Sequence, residues 1–444
     1  MSNWAKLMVA AVSAAVSATG AWAASGRIYS IVTCPGDDAS RQMRVSWAAD
    51  SAAGHTQVML TTEGDEAWSR ATLCRPEQHR WCTTYYGIDS KRPDGSNWTE
   101  DARFFKCGAT LGGLKPDTRY KYRIVGASGD TSATYRFTTA GAREWGACII
   151  SDFHTYTPLP NRLESAMDMV QAIDNRYRDV DWVLHIGDVI AWGGSYSFWR
   201  KLYGQPAFRR TMWAGLNGNH DNMSRRYELT SNYFRDANYY PPNGYEGERG
   251  VCYHFTYGGV LFIMLNSEDM RTPEGLEAAQ QWVRKVVKEC RTADARYTVV
   301  CEHYQWFHGQ TGLTSQYGRW RQLMDECGID LAIAGNNHIY VRSLPLKADA
   351  ATTSDKGTTY VQLPSSDNER GQKHFGPLEH NADKIACRWN EGPQTVGAMH
   401  LSVTPKRMAL QLLDRNGSVI DAFEVRPRRK KIAQASLGIW RLGP

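Results

Sequence analysis

The chain has 444 residues, of which 42% are hydrophobic and 22% charged, so it is long enough for two or three packed domains and too hydrophobic for intrinsic disorder. Its 52 Lys and Arg residues outnumber 46 Asp and Glu residues by only six, and this thin excess excludes a dedicated nucleic-acid binder with a basic stripe. The composition also excludes collagen-like, coiled-coil and low-complexity chains.

The first 23 residues have the pattern of an export signal. Lys6 supplies a positive start, residues 7–16 are apolar, and residues 21–23 (AWA) match the small-x-small cleavage pattern. The apolar run is shorter than the roughly 20 residues that a membrane-spanning helix needs. We therefore predict a signal peptide over residues 1–23, no membrane insertion, and a mature protein that is secreted or periplasmic.

The ten cysteines all follow this segment. In an oxidising compartment some of them are expected to form disulfides, although the sequence leaves the pairing open. Cys148 and Cys301 lie inside apolar, strand-like runs, where a buried free thiol is as good an interpretation as a disulfide.

Residues 24–140 have an all-β pattern. Residues 42–47 and 55–60 alternate apolar and polar side chains, which is typical of half-buried strands. Residues 114–122 read Leu-x-Pro-x-Thr-x-Tyr-x-Tyr, and together with Trp47 this arrangement resembles a fibronectin type III-like β-sandwich. A scaffold role is expected for this domain, because a sandwich of this kind carries no chemistry by itself.

Residues 141–425 have a different pattern, in which short apolar runs alternate with amphipathic helical segments. Leu163 to Ile173 has helical spacing, Thr272 and Pro273 form a helix start, and Gly328 is a candidate C-cap. Strands alternating with helices predict an α/β layer architecture. Residues 426–444 are predicted to be a basic, solvated C-terminal tail.

Five apolar runs in this second domain end in polar residues of the same chemical kind. Ligands bind beyond the carboxyl ends of strands in α/β sheets, so we expect these five ends to converge in space. The polar residues at the five ends are Asp152 and His154; Asp188; Asn219, His220 and Asp221; His303; and Asn336 and His338.

The donor types indicate a metal site. Imidazole, carboxylate and amide groups without thiolate suit Zn, Mn or Fe. The donors are too many for one tetrahedral ion, which favours two divalent ions sharing a bridging carboxylate. Paired ions about 3.5–4 Å apart are suited to in-line phosphoryl displacement.

The order Asp-x-His, Gly-Asp, Gly-Asn-His-Asp, a strand ending in His, and Gly-x-x-His resembles the calcineurin-like metallophosphoesterase superfamily. With a fibronectin-like domain in front, the layout is similar to purple acid phosphatases and related exported bacterial phosphatases. The resemblance implies a four-layer α/β/β/α catalytic domain. It assigns the ligands of one ion to Asp152, His154, Asp188 and His338, and those of the other to Asp188, Asn219 and His303, with Asn336 as a further candidate.

The same resemblance assigns catalytic and substrate-binding roles. His220 corresponds to the general acid or transition-state contact, and Asp221 would orient it. Asn219 and His220 would contact the substrate, and Arg342 is a weaker candidate for contact with its phosphate.

Three positions depart from the purple enzymes. His154 stands where they carry Gly, and Ala191 stands where they carry Tyr, so the colour of a Tyr–ferric centre is not expected. Asn336 replaces the first His of Gly-His-x-His, and a neutral amide is a weaker ligand than imidazole. The second ion is therefore expected to bind loosely, or to be a harder ion such as Mn or Mg.

These observations predict an exported phosphatase with two divalent ions, in which a metal-bound hydroxide attacks a small phosphomonoester in line and His220 protonates the leaving group. Two alternatives stay open: a phosphodiesterase using the same site, and a catalytically weak metal- or ligand-binding protein with an impaired second site. The sequence leaves the natural substrate, the metal identity and the oligomeric state open.

Overall fold

The structure is a computed structural model, and it describes residues 28–49, 56–91, 97–126, 129–157, 159–222, 233–291, 295–308, 312–367 and 380–428. Only the backbone is described for residues 78–91, 97–103 and 312. The predicted signal peptide and most of the predicted basic tail lie outside the described residues.

The N-terminal region is a sandwich of two antiparallel four-stranded sheets. Its strands are β1 (Ile28–Pro35), β2 (Met43–Ala49), β3 (Gln57–Thr62), β4 (Thr72–Cys74), β5 (Gln78–Lys91), β6 (Asn97–Leu111), β7 (Arg119–Val125) and β8 (Tyr135–Thr138). The sheet orders are β1-β2-β6-β5 and β4-β3-β7-β8. Trp47 and Tyr122 are fully buried between the sheets, where Tyr122 shares a 2.7 Å hydrogen bond with Thr33. The predicted β-sandwich is therefore confirmed.

The strands of the second region follow in chain order. They are β9 (Trp145–Ile150), β10 (Val180–His185), β11 (Met212–Gly215), β12 (Tyr253–Tyr257), β13 (Val260–Met264), β14 (Tyr297–Cys301), β15 (Phe307–His308), β16 (Gly312–Leu313), β17 (Leu331–Ala334), β18 (Tyr340–Ser343), β19 (Leu346–Lys347), β20 (Ala350–Ala351), β21 (Thr359–Gln362), β22 (Ile385–Trp389), β23 (Gly397–Val403), β24 (Met408–Asp414) and β25 (Val419–Val425).

These strands form two large mixed sheets. The six-stranded sheet has the order β11-β10-β9-β23-β24-β25, and β9, β10 and β11 are parallel. The seven-stranded sheet has the order β12-β13-β14-β17-β21-β18-β22, and β13, β14, β17 and β21 are parallel. Two small hairpins, β15-β16 and β19-β20, lie outside them.

The helices are α1 (Asn161–Tyr177), α2 (Tyr196–Tyr203), α3 (Asn219–Asn222), α4 (Tyr233–Ala237), α5 (Pro273–Cys290) and α6 (Ser315–Cys327). Short 3-10 turns occupy Pro206–Arg209, Asp269–Arg271, Ala382–Lys384 and Gly392–Gln394. The predicted caps are present: the Thr272 hydroxyl accepts a hydrogen bond from the Gly275 N–H at 3.0 Å, and Gly328 ends α6 with a left-handed φ of 59°.

The two large sheets pack face to face with helices outside them. Trp145 and Trp182 of the six-stranded sheet meet Tyr257 and Phe262 of the seven-stranded sheet at ring-centroid distances of 4.9–6.4 Å. Helix α1 covers the outer face of the first sheet, and α5 and α6 share a core with the second. This is the predicted four-layer α/β/β/α arrangement.

The sandwich packs directly against the second region. Its buried Arg44 lies 3.8 Å from the centre of the Tyr239 ring and donates a hydrogen bond to the Tyr239 carbonyl. Its buried Lys106 donates to the carbonyl of Ala237 at 2.7 Å. The described sandwich strands end at Thr138 and β9 begins at Trp145, on either side of the predicted boundary at residue 140.

The cysteines do not follow the predicted oxidised pattern. The nine whose side chains are described are all free thiols, and Cys82 lies where only the backbone is described. Cys148 and Cys301 are fully buried on β9 and β14, in different sheets, and burial raises the pKa of both thiols. The free-thiol interpretation therefore holds for these two residues.

Among the helices that the structure describes, none combines the length and the apolar character required to cross a bilayer.

Candidate metal centre

The five polar strand ends converge at one place between the two large sheets. Strands β9, β10 and β11 are neighbours in one sheet, and β14 and β17 are neighbours in the other. The chain turns sharply after these strands, because several polar residues there adopt a left-handed backbone: Asp152 (φ 53°), His154 (42°), Asp188 (51°), Asn336 (69°) and His338 (54°). Such conformations cost about 1–3 kcal/mol each and concentrate at functional sites.

Glycines allow the turns to approach one another. A Cβ on Gly218 would lie 2.2 Å from Asp188 Oδ1, and a Cβ on Gly335 would lie 2.6 Å from Asp152 Oδ2. Larger residues at these two positions would displace the carboxylates.

The converging side chains form three overlapping groups, within each of which the donor atoms lie no more than 4.8 Å apart. The groups are Asp152, His154 and His338; His154, Asp188 and His220; and Asp152, Asp188 and His303. Asp188 Oδ2 lies 3.2 Å from His154 Nε2 and 3.3 Å from His303 Nε2, so it stands between one imidazole of each predicted ligand set. This is the position that a bridging carboxylate requires.

Backbone carbonyls orient three of these imidazoles. The Nδ1 atom of His154 lies 2.9 Å from the Asp152 carbonyl, that of His303 lies 2.7 Å from the Ile186 carbonyl, and that of His220 lies 2.7 Å from the Ala191 carbonyl. A carbonyl accepts only, so each Nδ1 carries a proton and Nε2 is the nitrogen left to face the site. Metal-binding histidines are held in this way.

The site fits divalent cations. His303 Nε2 and Asn219 Oδ1 are buried and have no hydrogen-bond partner in the described part of the chain, although Nε2 faces the Asp188 carboxylate. Burial opposes a charge on His303, but Asp188 and Asp152 raise its pKa to about 10. Burial would likewise raise the pKa of Asp188, yet the neighbouring histidines hold it well below its usual value. The pocket therefore stabilises positive charge, as a cation site must.

Asp221 does not orient the His220 ring as predicted. Its carboxylate accepts hydrogen bonds from the backbone N–H groups of Asp188, Gly218 and Ile190 at 2.8–3.0 Å. Burial, together with the nearby charge of Asp188, raises the pKa of Asp221 to about 8. Asp221 thus fixes the loop that carries Asp188, while the Ala191 carbonyl orients His220.

Asn336 supports the site through its backbone as well as its side chain. Its N–H lies 3.1 and 3.0 Å from the two carboxylate oxygens of Asp152. Its side-chain NH2 donates to Gln305 Oε1. Because that bond occupies the nitrogen, the amide oxygen is directed away from Gln305.

Arg342, which was predicted to contact the substrate phosphate, binds Asp421 in the structure. On β18, its guanidinium makes two hydrogen bonds of 2.6 and 3.0 Å to the Asp421 carboxylate and lies 4.6 Å from the centre of the Phe423 ring. The salt bridge to Asp421 holds Arg342 on β18, and this does not fit the predicted contact with the substrate phosphate.

A sixth strand end contributes residues that the sequence reasoning missed. After β21, the Ser365 hydroxyl donates to the Asp152 carbonyl at 2.7 Å, and the buried Asp367 carboxylate comes within 3.9 Å of His154 Nδ1. The signal was present, because the apolar run at residues 359–362 also precedes polar residues. Leu363 and Pro364 separate that run from Ser365, Ser366 and Asp367, so the polar residues do not follow the strand directly.

Comparisons with known proteins agree with this geometry. Residues 147–340 match the family model of the calcineurin-like phosphoesterases, and residues 29–139 match that of the purple acid phosphatase N-terminal domain. Uncharacterised proteins from two strains of Mycobacterium tuberculosis are 25% identical over 386 residues, which cover 77% of this chain and 67% of theirs.

Two solved structures show the shared fold. A purple acid phosphatase from yellow lupin (Lupinus luteus) seeds superposes with a TM-score of 0.69 at 17% identity, over 91% of this chain and 75% of that chain. A structure of PhoD superposes with a TM-score of 0.57 at 12% identity, over 93% of this chain and 94% of that chain. The chain therefore contains a calcineurin-like metallophosphoesterase domain behind a purple acid phosphatase N-terminal domain, and this combination supports a phosphoesterase hydrolase.

Proposed function

We propose that the protein is an exported phosphomonoesterase that uses two divalent ions to hydrolyse small phosphate esters. The observation that carries this proposal is the position of Asp188 Oδ2 between His154 Nε2 and His303 Nε2. One carboxylate facing two separate imidazoles suits a bridged pair of ions better than a single ion.

The ligands divide into two sets that share Asp188. Asp152, His154 and His338 complete one set, and Asn219 and His303 complete the other. When bound, two such ions supply a hydroxide nucleophile near neutral pH and offset the charge on the phosphoryl oxygens. Zn, Mn and Fe all suit this donor set, and Asn336 favours a harder ion in the second position.

His220 is the proposed proton donor. Its Nδ1 is held by the Ala191 carbonyl, so Nε2 is the nitrogen that faces the site, and the ring is half-buried rather than enclosed. A protonated Nε2 can donate to the leaving alkoxide, which is the step that esters of poor leaving groups need most. Its ring also packs edge-on to His154, with ring centroids 4.8 Å apart.

The export part of the proposal rests on the first 23 residues, with Lys6 before an apolar run and a small-x-small sequence ending at Ala23. Cleavage there predicts a mature N-terminus at Ala24. Sequencing the N-terminus of the protein recovered from the periplasm or medium tests this directly.

The test of monoesterase function is turnover of p-nitrophenyl phosphate and bis(p-nitrophenyl) phosphate by the metal-loaded protein. We expect the monoester to be hydrolysed much faster than the diester. His220→Ala should lower kcat for alkyl monoesters by about 10²–10⁴-fold, which is the usual contribution of a general acid, and less for p-nitrophenyl phosphate.

His380→Ala is the matched control, since His380 is an exposed histidine outside the three donor groups. It should leave kcat unchanged. Faster turnover of the diester would replace the proposal with the phosphodiesterase alternative. No turnover of either substrate by a folded, metal-loaded protein would leave the binding-protein alternative.

A further inference from the structure

A short loop contacts both the ring and the backbone of His220. We call residues 191–195 the His220 clamp. The Ala191 carbonyl accepts from His220 Nδ1 at 2.7 Å, the Gly193 N–H donates to the His220 carbonyl at 2.8 Å, and the Trp192 ring lies 5.5 Å from the imidazole between centroids. The clamp therefore fixes both the backbone and the ring of His220.

The clamp has little freedom to shift independently of His220. A Cβ on Gly193 would lie 1.9 Å from the Asp221 carbonyl oxygen, so only glycine permits this approach. A displacement of the clamp by an ångström would move the Ala191 carbonyl and, with it, the imidazole.

Helix α2 (Tyr196–Tyr203) follows the clamp directly in the chain and contacts it through Trp199. The Trp199 indole N–H donates to the Gly193 carbonyl at 2.8 Å, and Trp199 is almost fully buried. The aromatic residues Phe198 and Trp199 therefore belong to the packing of this helix and do not line a substrate pocket.

The N-terminal sandwich holds α2 in turn. Phe104 of β6 stacks on Tyr196 with ring centroids 4.2 Å apart and planes 8° from parallel, and Phe104 is only 2% exposed. One turn further along the helix, the Arg200 guanidinium lies 4.6 Å from the centre of the Tyr29 ring of β1. Both contacts join α2 to the other domain.

We propose that the sandwich domain positions the proton donor of the catalytic domain, with Phe104 as the positioning residue that acts on His220 through Tyr196 and the His220 clamp. The sandwich is then part of the active enzyme and not only a scaffold. This inference rests on the proposed role of His220 in phosphomonoester hydrolysis.

The test compares three variants of the full, metal-loaded chain. Phe104→Ala removes the stacking ring, Phe104→Tyr keeps it, and Arg44→Met removes a different contact between the same two domains, against Tyr239. Each is assayed with p-nitrophenyl phosphate, whose leaving group needs little protonation, and with 2-glycerol phosphate, whose leaving group needs a proton.

Phe104→Ala should lower kcat for 2-glycerol phosphate by about 10–100-fold, since a misplacement of 1 Å can cost about a hundredfold. Its kcat for p-nitrophenyl phosphate should fall much less, with KM and metal content unchanged. Phe104→Tyr should keep the wild-type kcat on both substrates. The kcat of Arg44→Met should stay within about twofold of wild type on both substrates, even if its Tm falls. Equal losses on both substrates, or an equal loss in Arg44→Met, would overturn the inference.

A second readout does not depend on turnover. In ¹⁵N-histidine-labelled protein, the His220 Nδ1–H that bonds to the Ala191 carbonyl should give a downfield proton resonance that His220→Gln removes. Phe104→Ala should broaden it by faster exchange, and Arg44→Met should leave it in place. If the wild type fails to turn over, the proposed function fails, while this resonance still decides whether the sandwich positions His220.

Discussion

Asn336 stands at the position where the family resemblance implies a histidine. Its backbone N–H holds Asp152, and its side-chain nitrogen is occupied by Gln305, so the only group it offers to an ion is a neutral oxygen. Amide oxygen suits harder ions than imidazole does. The second site should therefore differ from the first in both affinity and metal preference.

Asn336→His tests this difference. The imidazole should strengthen binding of Zn at the second site relative to Mn, and the change should appear as tighter binding of the second of two ions. Isothermal titration of the metal-free variant with each ion measures it, and Gln305→Ala serves as a companion that frees the amide without changing the ligand type. Identical Zn and Mn binding in wild type and Asn336→His would show that residue 336 does not contact the second ion.

Individual residues were unequally predictable. Asp188 and His303 follow apolar runs, and the rule that parallel strand ends converge brought them together correctly. The roles of Asp221 and Arg342 depended on side-chain direction, which spacing along the chain does not encode. The Asp221 carboxylate accepts hydrogen bonds from three backbone N–H groups. Arg342 forms a salt bridge with Asp421, which lies 79 residues later in the chain.

At the scale of elements, strand β10 (Val180–His185) lies between β9 and β11 and ends three residues before Asp188. Its last residue, His185, is almost fully buried, with the Tyr240 hydroxyl 3.4 Å from Nε2. Burial lowers the pKa of His185 to about 3. The last residue of this strand is therefore an uncharged, buried histidine close to the candidate metal centre.

The stability of the metal-free protein should fall in acid because of this histidine. Its pKa is about 3 in the folded chain and about 6.5 when unfolded, so between these values the unfolded chain binds a proton that the folded chain does not. The free energy of unfolding then falls as pH falls through this window, by at most about 1.4 kcal/mol per pH unit from one group.

His185→Asn should remove that part of the slope. Urea midpoints measured from pH 7.5 down to pH 4.5 should fall less steeply for the variant than for the wild type, whatever its stability at neutral pH. His380→Ala, which changes an exposed histidine, should keep the wild-type slope. Parallel slopes for wild type and His185→Asn would show that His185 is not held neutral by burial.

Elements with local signals were predicted well. The start of α5 at Thr272 and Pro273 and the end of α6 at Gly328 depend on capping chemistry within a few residues. The role of α2 was not predictable in this way. Its Tyr196 packs against Phe104 of a strand in the other domain, and this contact joins residues that are 92 positions apart in the chain.

At the scale of the whole molecule, two domains of different architecture pack against each other, and the three donor groups lie in the second domain. The β-sandwich and an α/β layer architecture were both predictable, because strand alternation and strand–helix alternation are strong periodic signals. The four-layer α/β/β/α arrangement followed from the family resemblance and not from the periodicity. The disulfides expected from export were not found among the nine described cysteine side chains. Several of these, such as Cys34, Cys148 and Cys301, are buried inside strands of the core.

The central claim is that Asp188 joins two ion sites in one centre. The most direct test is metal titration of the stripped full-length protein, measuring ions bound per chain together with turnover of p-nitrophenyl phosphate. The account predicts that activity returns as binding approaches two ions per chain, and that Asp188→Asn binds neither ion tightly. Full activity at one ion per chain, or two tightly bound ions in Asp188→Asn, would contradict it.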